Sequence, residues 1–299
     1  MFFDPVLNAL SASTAIPAFN VPYLPMVEPV VRAVVDLDSF ALIETARLEW
    51  YKFEAKSARA VAEEFGRFPA PDHVRLHLDH VPVIDEDDLH VDYAADIQAA
   101  IDLGYHSVMI DGSRLSLEDN ILATKRVADM AHAAAIPCEA ELGAVLGHEA
   151  GPLPPYDELF ASGRGFTRVD EARRFVAETG CDWLSVAIGN IHGAIAAGAK
   201  DKKKVAARLD LEHLQHLQEA TGVPLVLHGG SGIPREYVLA SFERGIAKIN
   251  IATEIRQAYE QALQTPGTIT AAQDAVYGRT TWLIDDYFNL KGTRHTINP

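Results

Sequence analysis

Short apolar segments alternate along the chain with longer segments in which apolar residues recur every three or four positions. The short segments are typical of buried strands, and there are eight of them: Ile16–Val21, Phe40–Thr45, Val74–Asp79, Ser107–Asp111, Cys138–Leu142, Trp183–Ile188, Leu225–Leu227 and Ala247–Ile251. The longer segments have the period of amphipathic helices and include Val91–Leu103, Leu117–Ala134, Val169–Thr179, Leu211–Thr221, Arg235–Arg244 and Glu254–Leu263. Three of them are followed by a glycine, which can end a helix in a left-handed conformation: Gly104, Gly180 and Gly222.

This alternation predicts the fold. A helix between two strands returns the chain to the same end of the sheet, so the strands are parallel. Eight such units in about 250 residues predict a single (β/α)8 TIM barrel. We expect one barrel domain over residues 1–299, with a helical extension at about 265–299. Such barrels carry their active sites at the carboxyl ends of the strands, and candidate chemistry is therefore sought there.

Composition narrows the classes of partner. With 26 Lys and Arg against 42 Asp and Glu, the net charge is −16, which opposes a broad surface for nucleic acid or for a membrane. No apolar run reaches the ~18 residues of a transmembrane helix, and the first residues do not resemble a secretory signal. Cys138 and Cys181 form neither a disulfide framework nor a CxxC motif. We therefore expect a cytoplasmic protein with no nucleic-acid or membrane partner.

Histidines follow three of the predicted strands: His80 after the third, His192 after the sixth and His228 after the seventh. In a barrel these side chains share one end, and three imidazoles with an open position form the ligand set of a catalytic divalent metal. Each histidine alone is also compatible with a hydrogen-bonded core or rim position. Four other histidines fall on predicted helices or loops and are interpreted as surface residues: His90, His132, His213 and His216.

Glycine-rich turns and carboxylates accompany these histidines. Gly193 follows His192, and Gly229-Gly230-Ser231-Gly232 follows His228; exposed backbone N–H groups in such turns bind phosphate. Carboxylates occur on the predicted strands or in the loop after the fifth, where they can move protons, orient ligands, bind metal or form rim salt bridges: Asp79, Asp111, Glu139, Glu141 and Glu149. A metal, a phosphate site and carboxylates together suit the formation of a carbanion beside a carbonyl.

Seven segments extend this pattern in a fixed order: AFNV (18–21), LHLDH (76–80), SVMIDGS (107–113), CEAELG (138–143), VAIGNIHG (186–193), PLVLHGGSG (224–232) and KINIATE (248–254). Together they resemble the class II, metal-dependent ketose-bisphosphate aldolases, which include fructose- and tagatose-bisphosphate aldolases. The resemblance spans most of the chain. It implies a zinc-dependent enzyme of carbohydrate metabolism, such as glycolysis, that reversibly cleaves a ketose phosphate or bisphosphate with dihydroxyacetone phosphate as the donor.

The resemblance also implies roles for individual residues. His80, His192 and His228 correspond to the ligands of Zn²⁺ or another divalent cation, and Asp79 and Glu149 correspond to the groups that move protons at the aldehyde and at the donor carbon. Asp111 and Glu141 correspond to a second metal position. The substrate and its phosphate correspond to a further set: Asn20, Gly193, Gly229, Ser231, Asn250 and Thr253. A monovalent cation near the phosphate and a homo-oligomer, either dimer or tetramer, are also implied.

Several positions depart from the family pattern. Ala46, Ala150, Ile195 and Ala252 replace a serine, an acidic residue, an aromatic residue and an aspartate, respectively, and Ala252 is shared with the tagatose-type branch. Segments 81–90 and 196–208 are longer than usual. We therefore expect the metal and donor sites to be retained, whereas the acceptor aldehyde is not specified.

Three other interpretations stay open at this point. A Schiff-base aldolase needs a lysine with a lowered pKa, and the predicted strands offer Lys248. A metal-dependent hydrolase, or a lyase for another ketose or keto acid, also uses barrel histidines; a hydrolase commonly has His-x-His after the first strand, where this chain has Phe19-Asn20-Val21. A catalytically altered sugar-phosphate-binding barrel would bind ligand without proton exchange.

Overall fold

The eight predicted strands form a closed, all-parallel barrel in the order β1 to β8, which confirms the (β/α)8 fold. The structure is a computed structural model that describes residues 3–143, 155–190, 207–230, 232–265 and 267–299. The strands are β1 Ile16–Asn20, β2 Ala41–Ala46, β3 Val74–Pro82, β4 Ser107–Asp111, β5 Cys138–Leu142, β6 Trp183–Val186, β7 Leu225–Leu227 and β8 Ile246–Ile251. Each pairs in parallel with its neighbours, and β8 closes the barrel against β1.

Helices surround the barrel: α1 Pro5–Ser11, α2 Val27–Asp36, α3 Arg47–Lys52, α4 Ala58–Phe65, α5 Tyr93–Asp102, α6 Leu117–Ala133, α7 Tyr156–Ser162, α8 Val169–Thr179, α9 Leu211–Thr221, α10 Arg235–Phe242, α11 Thr253–Gln264, α12 Ile269–Trp282 and α13 Arg294–Ile297. Leu24–Met26 is a short 3₁₀ helix, and Leu283–Tyr287 is π-helical. The predicted bounds of α8 and α9 are confirmed, and Gly180 and Gly222 end them with φ of 70° and 68°. No described helix is both long and apolar enough to cross a membrane.

Alternate residues of each strand face the barrel interior. Along these interior-facing positions, the side chains change from apolar at one end of the barrel to polar at the other. We call the lower, apolar end the barrel base. Its buried cluster is completed by residues of α1 and α13 and consists of Val6, Ala9, Ile16, Ala18, Phe40, Leu42, Trp183, Val226, Ala247 and Ile297. Two residues further along the strands the interior becomes polar: Glu44 follows Leu42 and His228 follows Val226. This upper end is the mouth of the barrel.

The base is closed by a capped helix. Asp4 precedes α1, and its Oδ1 accepts hydrogen bonds from the backbone N–H groups of Val6 (3.0 Å) and Leu7 (3.1 Å). The same carboxylate accepts the indole N–H of Trp183, at 3.1 Å from each oxygen. Side-chain capping satisfies helix N–H groups that have no intrahelical partner. Asp4 therefore fixes α1 to the largest fully buried side chain of the interior.

Candidate metal centre and active site

A bulge at the end of β3 brings two consecutive side chains into the mouth. The pairing of β3 with β4 shifts between Leu78 and Val81, so that β3 has an extra residue there. His80 has φ of 32°, a left-handed conformation that is strained for a non-glycine residue. A regular strand sends neighbouring side chains to opposite faces, whereas a bulge redirects one of them. Asp79 and His80 consequently meet in the same site.

The bulge also changes one predicted boundary. The sequence places the end of the third strand at Asp79 and a loop at 81–90, but β3 continues through Pro82. Val81 and Pro82 pair with Ile110 and Asp111 of β4, so these two residues belong to the sheet. Strand β3 is longer than predicted because the bulge accommodates one extra residue, after which β3 pairs with β4 again beyond His80.

His80 and His228 face each other across the mouth. Nε2 of His80 lies 2.7 Å from Nδ1 of His228. The opposite nitrogen of each ring contacts a carboxylate: Nδ1 of His80 lies 3.1 Å from Oδ2 of Asp111, and Nε2 of His228 lies 2.8 Å from Oε1 of Glu139. Carboxylates in this position orient metal-binding imidazoles. The facing nitrogens are hydrogen-bonded to each other, and both rings are held so that one cation could take the place of the shared proton.

The surrounding donor set fits a divalent metal. Potential ligand atoms of Asp79, His80 and His228 lie within 4.8 Å of one another, and so do those of His80, Asp111 and Glu141. The two groups share His80, and the second contains the predicted second metal position. Imidazole nitrogen with carboxylate oxygen is a donor set that zinc prefers, and the excess of carboxylates supplies negative charge for a dication. Among the described residues, His80 and His228 thus lie together at the mouth.

Asp79 is held on both carboxylate oxygens. Nδ2 of Asn20 donates to Oδ2 at 2.9 Å, and Nδ2 of Asn250 donates to Oδ1 at 3.0 Å. Burial alone would raise the pKa of Asp79, but the nearby cationic forms of His80 and His228 and the Lys248 ammonium hold that pKa below its usual value. The carboxylate is therefore ionised and fixed in orientation, as a proton-transferring group must be.

Lys248 is fully buried beneath this site. Its Nζ lies 2.9 Å from Oε2 of Glu139 and 3.2 Å from Oε2 of Glu44, and it donates to Oδ1 of Asn250 at 2.6 Å. Burial opposes its charge, but the two carboxylates outweigh burial and raise the pKa of Lys248 above its usual value. A Schiff-base lysine needs a lowered pKa. The geometry therefore gives no support to Lys248 as a nucleophile.

The turn after β7 permits a close approach of backbone. Gly229 has φ of 66°, and a Cβ on Gly230 would lie 2.9 Å from the Ile249 side chain, so that a larger residue would push against β8. Nδ2 of Asn190 donates to the carbonyl of His228 at 2.9 Å and fixes the strand end. Gly229 thus lies after β7, while Asn250 and Thr253 lie in β8 and at the start of α11.

Some predicted site residues lie outside the described residues: Glu149, His192, Gly193 and Ser231. The altered positions Ala150 and Ile195 also lie there, as does most of the segment 196–208. Their roles stay predictions.

The structure adds residues that sequence reasoning did not assign: Glu44, Glu49, His77, Glu139 as a partner of His228, and Lys248 as an ion-paired residue. His77 is fully buried, with its ring against Trp183 and Nδ1 2.8 Å from Oγ of Ser107; burial lowers its pKa to about 3. The residues of this group that lie on strands could have been noticed in the sequence, because each places a charged or titratable side chain within an otherwise apolar barrel strand. Such a side chain faces either the barrel interior or a helix.

A parallel barrel with paired imidazoles and carboxylates at its mouth defines an enzyme built around a divalent-metal centre. Residues 4–288 match the family "Fructose-bisphosphate aldolase class-II". The fructose-bisphosphate aldolase of Streptococcus pneumoniae, serotype 4 strain TIGR4, is 34% identical over 271 residues, which cover 89% of this chain and 82% of that protein. The chain therefore belongs to the class II fructose-bisphosphate aldolase family, whose members depend on a metal, usually zinc. It is an aldolase, an aldehyde-lyase of carbohydrate metabolism.

Solved structures agree with this assignment. The YdjI aldolase from Escherichia coli K12 is similar with a TM-score of 0.76 at 28% identity, covering 98% of this chain and 100% of that one. A putative fructose-1,6-biphosphate aldolase from Coccidioides immitis has a TM-score of 0.76 at 27% identity, covering 97% of this chain and 96% of that one.

Proposed function

We propose that the protein reversibly cleaves a ketose phosphate or bisphosphate in a zinc-dependent aldol reaction, with dihydroxyacetone phosphate as the donor. The observation that carries the proposal is the pair His80 and His228, whose facing nitrogens lie 2.7 Å apart while carboxylates hold their outer nitrogens. The names of the relatives support a ketose bisphosphate as substrate. The departures at Ala46 and Ala150 leave the acceptor aldehyde to be found by experiment.

In this proposal His80, His192 and His228 hold the zinc, with Asp111 and Glu141 as a second metal position. Bound zinc supplies an electrophile that polarises the donor carbonyl. Glu149 removes the proton from the donor carbon. Asp79, fixed by Asn20 and Asn250, takes or returns the proton of the acceptor oxygen.

The phosphate of the substrate is assigned to the turns and strand ends around β6 to β8: Gly193, Gly229, Ser231, Asn250 and Thr253. Backbone N–H groups of such turns and the amino terminus of α11 bind anions, and a monovalent cation near the phosphate is part of the proposal. We further propose a cytoplasmic homo-oligomer, a dimer or tetramer, whose partner is the small sugar phosphate and neither nucleic acid nor membrane.

The test is a panel of aldehydes offered with dihydroxyacetone phosphate to the zinc-loaded enzyme, with products followed by NMR. We expect condensation with at least one aldehyde, loss of turnover after chelation and recovery on adding zinc. Borohydride added with the donor should leave Lys248 unlabelled. Activity that survives complete chelation would contradict the metal mechanism. Binding of the donor with neither condensation nor exchange of its C–H proton would instead support the catalytically altered sugar-phosphate-binding barrel.

A further inference from the structure

Helix α3 carries a carboxyl group that the proposed reaction does not use. Glu49 lies on this short helix, directly after β2, and is 6% exposed. Its Oε2 accepts the backbone N–H of Ala46 at 3.0 Å. Arg47 fixes the same helix from outside, with Nε 3.0 Å from Oδ2 of Asp96 and Nη1 3.7 Å from Oδ2 of Asp85. The Glu49 carboxyl is therefore held at the β1 and β2 side of the mouth.

Glu49 is connected to the proton-transferring group through one amide. The Asn20 side chain interacts with the Glu49 carboxyl and donates from Nδ2 to Oδ2 of Asp79 at 2.9 Å. Asn20 is itself 4% exposed. A line of buried side chains thus runs from Glu49 through Asn20 to Asp79, the residue assigned to proton transfer at the acceptor oxygen.

The environment of Glu49 favours its neutral form. Burial and the charge of Asp79 raise its pKa to about 8, although the N–H of Ala46 and the Asn20 amide act in the opposite direction. Among the described residues, Asp79 on β3 is the charged group that acts on it, while the neighbouring groups on β1 and β2 are the uncharged Asn20 and Thr45. Glu49 therefore carries a proton at neutral pH and loses it at moderately alkaline pH.

We propose that Glu49 is a positioning residue that, through the Asn20 amide, holds Asp79 in place for proton transfer at the acceptor oxygen. The inference rests on the proposed function. When Glu49 ionises, its carboxylate competes with Asp79 for the Asn20 N–H groups, because charged acceptors form stronger hydrogen bonds. A second negative charge beside Asp79 also repels it. Carbon–carbon bond formation therefore loses efficiency above the pH at which Glu49 ionises, whereas proton removal from the donor carbon does not pass through this line.

The experiment compares Glu49→Gln and Glu49→Ala with wild type and with Glu63→Gln, which changes an exposed glutamate of α4. Two rates are measured in the zinc-loaded enzyme between pH 6 and pH 10. One is condensation of dihydroxyacetone phosphate with an aldehyde that wild type accepts. The other is deuterium exchange of the donor C–H proton, followed by NMR.

We expect wild-type kcat for condensation to fall about tenfold from pH 7 to pH 9, as for one ionisation near pH 8. The control variant Glu63→Gln should show the same fall as wild type. Glu49→Gln should lose less than about threefold over that range, because its amide does not ionise. Glu49→Ala should lower kcat by about 10- to 100-fold at pH 7, with donor exchange within about twofold of wild type; Glu49→Gln should rescue most of this loss.

A stability measurement checks the premise without using activity. A folded-state pKa of about 8, above the ordinary 4.5, means that the folded protein binds more protons than the unfolded chain between these values. Stability from this group is then fully present below pH 4.5 and is lost as the pH rises toward 8. The unfolding free energy of Glu49→Gln, relative to that of wild type, should therefore increase from pH 5 to pH 8.

The outcomes are distinct. An alkaline fall of the same size in Glu49→Gln and wild type would overturn the inference, and so would equal losses of condensation and exchange in Glu49→Ala. In an Asn20→Ala background, Glu49→Ala should have little further effect, whereas additive losses would contradict action through Asn20. If Glu49→Ala does not fold, the pH profile and stability of Glu49→Gln still decide the matter. A wild type that neither exchanges nor condenses removes the proposed function itself.

Discussion

The base and the mouth of this barrel are made by the same strands, yet they use opposite chemistry. On β6, Trp183 lies in the base and Ser185 lies two residues higher; on β2, Leu42 is followed by Glu44. The base is apolar and is closed by α1. In the mouth, Oε1 of Glu44 is buried with no hydrogen-bond partner among the described residues, while Lys248 pairs with Oε2 of both Glu44 and Glu139.

The two ends therefore contribute differently to the free energy of folding. A buried large apolar side chain stabilises the fold by about 1.5–3 kcal/mol. A buried ion pair loses hydration worth several kcal/mol per ion, and its Coulomb attraction often does no more than offset that loss. We therefore expect substitutions in the base to reduce mainly the unfolding free energy and substitutions in the mouth to reduce mainly turnover.

The largest effect is expected at the mouth, on turnover. Asp79→Ala should lower kcat by about 100- to 10,000-fold, because it removes the group that moves the acceptor proton. Metal content, measured by elemental analysis, should stay at the wild-type value, since His80 and His228 remain. Asp79→Asn is the matched variant, because it keeps the side-chain volume while it removes the charge and the ability to take up a proton; its NH2 group also cannot accept one of the two amide N–H groups. Wild-type turnover in either variant would exclude Asp79 from the proposed role.

A somewhat smaller effect is expected at the base, on stability. Trp183 is fully buried, and Trp183→Ala should lower the unfolding free energy by about 3–5 kcal/mol through lost contacts and a cavity. Chemical denaturation measures this loss. At temperatures where the variant is folded, metal content and kcat should be close to wild type. Trp183→Phe serves as the control, with a loss of about 1 kcal/mol from the indole hydrogen bond. A folded Trp183→Phe without activity would break the separation of base and mouth.

The smallest effect is expected at Asp4, which caps α1 and accepts the Trp183 indole N–H. Asp4→Ala should cost about 1–2 kcal/mol of unfolding free energy, because a helix cap and a partly buried hydrogen bond are lost together. Asp4→Asn keeps a capping oxygen and should lose less than Asp4→Ala. Both are measured by denaturation beside Trp183→Phe. Equal losses for the two Asp4 variants would show that its charge, rather than the cap, stabilises the base.

The fold could be predicted because parallel barrel strands are buried on both faces and read as apolar runs. Helices α8 and α9 were also predicted, since each has a long amphipathic period and a terminal glycine. Helix α3 was not, because six residues are too few for the period to be distinctive. The omission had a consequence for the site, because Glu49 lies on α3.

The sequence by itself determined that His80 and His228 lie toward the carboxyl ends of two strands of one barrel, because strand order and spacing are local properties of the chain. Tertiary structure decided which side chains meet. The bulge in β3 depends on pairing with β4, and it places Asp79 and His80 in one site. Lys248 meets Glu44 and Glu139, and Glu49 meets Asn20, only after the barrel closes, since those contacts join residues distant in sequence and their charge states depend on burial that no local pattern contains.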